Sequence, residues 1–230
     1  MVAAGAAALD LGAESTRPGA APVAVEGELR RLLPVLDAVR AAVRVPLSVD
    51  TMKAEVARRA LAAGADIVND VSGGRFDPGL LPLCAREGVP VVLVHMQGAP
   101  ATMQEDPCYA DVVAEVVSFL GARAEAARQA GVAREAIILD PDIGFGKTVE
   151  HNCALLRRLD ALVALGYPVL VGVSRKGFIG RLLGGRPPGE RVVGSAAATA
   201  LAVVAGARMI RTHDVGPTLD AIRIAEAVLS

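Results

Sequence analysis

Seven short runs rich in Val, Ile, Leu and Ala recur along the chain, and each stops at a cluster of polar residues. The runs predict strands over residues 7–11, 46–50, 66–71, 90–95, 136–140, 168–174 and 208–213. Between them, residues 26–43, 53–63, 111–130 and 152–165 place apolar side chains at a period of about 3.6, which predicts helices. Gly64, Gly131, Gly166 and Gly206 stand just before the following strands and suit the left-handed position after a helix. Continuous apolar runs are what parallel strands covered on both faces require, and alternation with helices builds right-handed βαβ units. The polar clusters at the strand ends then converge on one rim, where an α/β barrel keeps its active site. The predicted fold is a (β/α)8 TIM-type barrel, but only seven strands are present. Met1–Ala4 reads as the last turn of a helix capped by Gly5, so the missing first βα unit is expected upstream of Met1.

Composition narrows the classes. The 230 residues are 53% hydrophobic and carry 24 basic against 25 acidic side chains, which fits one barrel domain over residues 1–230. A net charge of −1 argues against a nucleic-acid partner, since neutralising a phosphate backbone needs a basic surface. No apolar run approaches the roughly 18 residues of a membrane span, and no signal peptide is evident, so a cytoplasmic protein is expected. Cys84, Cys108 and Cys153 are odd in number and lack metal-ligand spacing, which predicts reduced thiols. Lysine is scarce: only Lys53, Lys147 and Lys176 occur.

The rim residues suggest two subsites. Asp50, Asn69 and Asp140 end three different strands, and two carboxylates with a carboxamide can match the donor and acceptor edge of a flat amino-oxo heterocycle such as a pterin. The alternative for Asp50 is a helix N-cap ahead of residues 51–54. Arg211 and His213 are two apart on a predicted strand, so both should face one way; with Arg17 they form a candidate anion clamp for a diphosphate, or else a solvated salt bridge. Lys176 follows a buried run and should rise onto the rim, with Ser174 offering a hydroxyl and Gly177 and Gly180 allowing close backbone approach. Residues 144–147 lack the spacing of a phosphate-binding loop and read better as a lid carrying Phe145. His95 fits either a catalytic role or a hydrogen-bonded core position.

Seven motifs carry a specific resemblance: Glu14-Ser15-Thr16-Arg17-Pro18-Gly19, Ser48-Val49-Asp50-Thr51, Asn69-Asp70-Val71-Ser72-Gly73, His95-Met96-Gln97-Gly98, Gly144-Phe145-Gly146-Lys147, residues 174–180 and Arg211-Thr212-His213-Asp214. In this order the chain resembles the dihydropteroate synthases, barrel enzymes that join 6-hydroxymethyl-7,8-dihydropterin diphosphate to 4-aminobenzoate. The resemblance implies that Asp50, Asn69, Asp140 and Lys176 hold the pterin. It implies that Thr16, Arg211 and His213 bind the diphosphate and that Arg17, Pro18, Phe145 and Ser174 shape the 4-aminobenzoate site. Lys176, Arg211 and His213 would be the catalytic set. It further implies Mg2+, with the family's associated asparagine falling in the missing first loop, and a homodimer. Two local departures stand out: Asp142 replaces the glycine of an Asp-Pro-Gly pattern, and Ala13 replaces the second glycine before Glu14. A non-catalytic pterin-binding paralogue is the alternative. A pterin-dependent methyltransferase domain would share the pterin carboxylates, but it has no need of the Ser174–Lys176 and Arg211–His213 sets.

Overall fold

The computed structural model describes residues 1–15, 19–98 and 107–229. Among the described residues seven strands occur in the expected places: β1 (Leu9–Gly12), β2 (Leu47–Asp50), β3 (Ile67–Asp70), β4 (Val91–Val94), β5 (Ile137–Asp140), β6 (Leu170–Gly172) and β7 (Met209–Arg211). All pairings are parallel and sequential, β1 to β5 in one run and β6 with β7 in another. A bridge from Leu139 to Val169 joins the two runs. The strands are shorter than the sequence indicates. At 168–174 and 208–213 the predicted runs extend into loops whose backbone groups bond side chains, as His213 N–H does to Ser174 Oγ.

Nine helices alternate with the strands among the described residues: α1 (Val25–Ala42), α2 (Ala54–Ala62), α3 (Leu80–Glu87), α4 (Val112–Gln129), α5 (Val149–Arg157), α6 (Leu159–Val163), α7 (Gly177–Leu182), α8 (Val192–Val204) and α9 (Val215–Leu229). The single helix expected over 152–165 is two, divided at Arg158. It also starts three residues early, because the Thr148 hydroxyl accepts the His151 N–H while His151 Nδ1 accepts the Thr148 N–H. That reciprocal cap, with histidine in place of Glu or Gln, is hard to read from sequence. Gly64, Gly131, Gly166 and Gly206 have φ of 98, 98, 75 and 100°, the left-handed conformation expected of them.

Strand alternation sorts side chains into two layers. Leu47, Val49, Val68, Leu93 and Leu139 pack with Leu36, Val56, Val116 and Leu120 of the helices in the main core. The opposite face gathers Val92, Val94 and Ile138 with Ile67 and Leu170, a smaller cluster without helical residues and therefore the barrel interior. Register completes the placement, since Gly12 pairs with Asp50 and Asp50 with Asn69 at the carboxyl rim. Asn69 shares a face with Ile67, and Asp140 with Ile138, so both side chains stand at the top of that interior.

Candidate active site

Two candidate pterin residues carry buried polar atoms without hydrogen-bond partners among the described residues. Asn69 is 2% exposed, and neither its amide oxygen nor its nitrogen finds a hydrogen-bond partner among the described residues; the same holds for Asp50 Oδ1. Buried polar groups are nearly always paired, so three such atoms together mark a place made for a ligand or water. Asp50 is not a helix cap: α2 is entered at Lys53, and Asp77 accepts the Ala54 N–H at 2.8 Å. Burial, with Asp10 beside it, pushes the Asp50 pKa up to about 8 despite Arg211. Burial also raises that of Asp140, again against the pull of Arg211.

Arg211 and His213 do not point the same way. β7 ends at Arg211, so the two-residue rule that would point both side chains the same way lapses at Thr212. Arg211 turns into the rim, donating to Asp10 Oδ2 at 3.0 Å and Asp140 Oδ2 at 3.1 Å, with Asp50 Oδ2 at 4.0 Å. Burial opposes its charge, but Asp140, Asp10 and Asp50 outweigh that and raise its pKa. A third of its side chain remains accessible. His213 is exposed, and its Nδ1 lies 3.0 Å from Ser174 Oγ. Asp10 opens the polar cluster after the first apolar run, but its sequence gives it no role. It sits inside an apolar strand with nothing local to mark its partner, 201 residues away.

Lys176 stands at the entry of α7 and reaches across the rim to the loop after β5. Its ammonium is 3.3 Å from Asp142 Oδ1 and 3.9 Å from the centre of the Phe145 ring. Phe145, expected against 4-aminobenzoate, therefore contacts Lys176, which is expected at the pterin. The same loop is braced by Lys147 Nζ donating to Phe145 O at 3.0 Å, Gly144 N–H to Asn152 Oδ1 at 2.7 Å and Tyr109 OH to Gly146 O at 2.9 Å. Lys147 is buried, and that burial lowers its pKa to about 8. The residues around Lys176 are fixed by a bidentate Arg175–Asp214 pair at 2.9 and 2.5 Å. Arg191 donates to the carbonyls of Arg175 and Lys176. Gly180 is close to Arg191, where a Cβ would lie 2.5 Å from the guanidinium, so its small size serves that packing.

Thr16, Arg17 and Pro18 lie outside the described residues, but the two ends of their loop are in view. Glu14 Oε1 accepts the Val23 N–H at 2.8 Å, closing the loop with one carboxylate. Its other oxygen accepts from Lys53, whose ammonium also donates to the fully buried Glu28 Oε2 at 2.6 Å. Lysine scarcity, which singled out Lys176, applies equally to Lys53 and Lys147, and all three hold loops at this rim.

His95 packs edge-on against Phe119 with ring centres 4.9 Å apart, and burial drives its pKa down to about 3. Burial favours its neutral imidazole, and its Nδ1 has no hydrogen-bond partner among the described residues. Among the described residues no cluster of three or more His, Cys, Asp or Glu could hold a metal ion. The carboxylates of Asp10 and Asp140 are engaged by Arg211, so the described side chains do not fit a magnesium site. Cys84, Cys108 and Cys153 are free thiols. No helix among the described residues is long and apolar enough to cross a membrane.

Comparison with known proteins agrees with this geometry. The family model described as pterin binding enzyme matches residues 1–213. The dihydropteroate synthase of Escherichia coli K12 is 48% identical over 230 residues, covering all of this chain and 81% of the relative. The Xanthomonas albilineans dihydropteroate synthase solved with 4-aminobenzoic acid superposes with a TM-score of 0.93 at 49% identity, covering 100% of this chain and 81% of that one. A structure of the X. albilineans enzyme with 7,8-dihydropteroate gives 0.90 at 46%, covering 100% and 84%. The chain belongs to the pterin-binding enzyme family and, within it, to the dihydropteroate synthases, transferases of folate biosynthesis.

Proposed function

We propose that this barrel joins 6-hydroxymethyl-7,8-dihydropterin diphosphate to 4-aminobenzoate, releasing diphosphate and forming 7,8-dihydropteroate. The observation that carries the reading is the set of buried, unpartnered polar atoms on Asn69 and Asp50 beside Asp140. An amino-oxo heterocycle supplies the donors and acceptors that these atoms lack. Lys176 closes the pterin site from the β6 side.

The C–O bond to diphosphate breaks as the electron-rich ring delocalises the positive charge left on the methylene carbon. The neutral amine of 4-aminobenzoate then forms the C–N bond and loses a proton to solvent. Charge accumulates on the departing oxygens, where preorganised donors act most strongly. Arg211, His213 and Thr16 are assigned to this group, with Arg211 held by Asp10 and Asp140 so that it need not reorganise. Arg17, Pro18, Phe145 and Ser174 are assigned to 4-aminobenzoate. The described side chains offer Mg2+ no site of their own; bound with the substrate diphosphate, it would add positive charge at the leaving group. A cytoplasmic homodimer of single-domain subunits completes the proposal; exposed Val193, Leu201 and Val204 on α8 and Ile224 and Val228 on α9 support the dimer.

Asn69→Ala tests the reading. It should weaken binding of a 7,8-dihydropterin by about 1–3 kcal/mol in calorimetric titration, because the ligand loses its partner. Thermal stability should stay equal or rise, since the side chain makes no hydrogen bond to the described residues. Unchanged affinity would remove the pterin from this pocket.

A further inference from the structure

Lys176 is shaped by one loop on three sides. Its stem crosses Gly144 so closely that a Cβ there would lie 2.7 Å from Lys176 Cδ, and Gly144 itself has φ 121°. Its ammonium rests over the Phe145 ring and within 3.3 Å of Asp142 Oδ1. Asp142 is 7% exposed and has φ 50°, a left-handed conformation that L side chains avoid and glycine adopts freely. The turn itself does not ask for aspartate. Its other contact, the Asp142 N–H donating to Asp140 Oδ1 at 2.7 Å, is available to glycine as well. What aspartate adds is a carboxylate within hydrogen-bond reach of Lys176, whose charge also acts on the buried Lys147.

We propose that Asp142 is a positioning residue whose carboxylate tethers the Lys176 ammonium over Phe145 and so fixes where that ammonium meets the pterin. The proposal rests on the placing of Lys176 at the pterin. Asp142 acts through the lysine and touches no reacting atom. The strained backbone is explained if the tether is what the residue contributes.

The three lysines make a direct test possible, since trace acetylation of the whole protein with acetic anhydride, read by mass spectrometry, reports Lys53, Lys147 and Lys176 separately. Asp142→Asn keeps the size and a residue tolerant of left-handed backbone while removing the charge. It should raise Lys176 acetylation by about threefold or more and leave Lys53 unchanged, because an amine released from the carboxylate and the Phe145 ring is more open to the reagent. Calorimetric affinity for a 7,8-dihydropterin should fall about fivefold, and in a Lys176→Met background the same substitution should change it by less than about 1.5-fold. Unchanged Lys176 acetylation, or an equal loss of affinity with and without Lys176, would overturn the tether. Raised acetylation with unchanged pterin affinity would support the tether and overturn the placing of Lys176 at the pterin.

Discussion

Arg211→Ala is expected to lower kcat/KM by about two to three orders of magnitude while leaving a folded protein, the loss typical of removing one preorganised donor from a developing negative charge. The guanidinium is held by Asp10 and Asp140 and is still partly accessible, so it is both fixed and reachable. Its removal also leaves Asp10, Asp50 and Asp140 facing one another. Arg211 lowers the pKa of both Asp50 and Asp140, and without it both should climb further. A carboxyl whose folded pKa exceeds its unfolded value near 4 stabilises the fold at low pH and loses that contribution as pH rises through the folded value. For Asp50 the wild-type window therefore runs from about pH 4 to about 8. The Arg211→Ala variant should lose melting temperature more steeply across this range than the wild type. A flat comparison, with activity within about threefold of wild type, would show that Arg211 neither binds the leaving group nor neutralises these carboxylates.

Lys53→Met should cost about 3–5 kcal/mol in urea unfolding, the usual penalty for leaving buried charge uncompensated. Lys53 is the cation between Glu14 and Glu28. Burial works against its charge, but the hydrogen bonds to the two carboxylates prevail and raise its pKa, so the contribution is fully present at neutral pH and is lost only in strong alkali. Replacing Glu28 as well, in Lys53→Met/Glu28→Met, should recover part of the loss, since apolar side chains of similar volume can replace a buried ion pair at little cost. A single-variant loss below about 1 kcal/mol would mean that water reaches the cluster.

The strand order and the rim were legible because parallel strands leave a strong trace: apolar runs that end in polar residues. Asp50, Asn69 and Asp140 could be picked out because each closes such a run, and register then places Asp50 beside Asn69. What escaped is contact between distant loops. Nothing near Asp10 announces Arg211, and nothing near Glu28 announces Lys53, because both pairs are set by how the barrel curves. The shared face of Arg211 and His213 failed for a local reason. Alternation holds only while the backbone is extended, and the Ser174 hydroxyl captures the His213 N–H just past the strand. Asp142 was visible as a departure from a pattern, but its contact with Lys176 depends on the turn that the loop makes.

The central claim is that these rim residues bind both substrates and carry the transfer, and coupled turnover tests it most directly. Wild-type protein incubated with dihydropterin diphosphate, 4-aminobenzoate and magnesium should release diphosphate and form 7,8-dihydropteroate in equal amounts. Omitting either substrate should abolish 7,8-dihydropteroate formation, and Arg211→Ala should show the predicted fall. Tight pterin binding without any dihydropteroate formed, under conditions where an authentic synthase turns over, would contradict the account and mark the chain as a pterin-binding protein without the transferase.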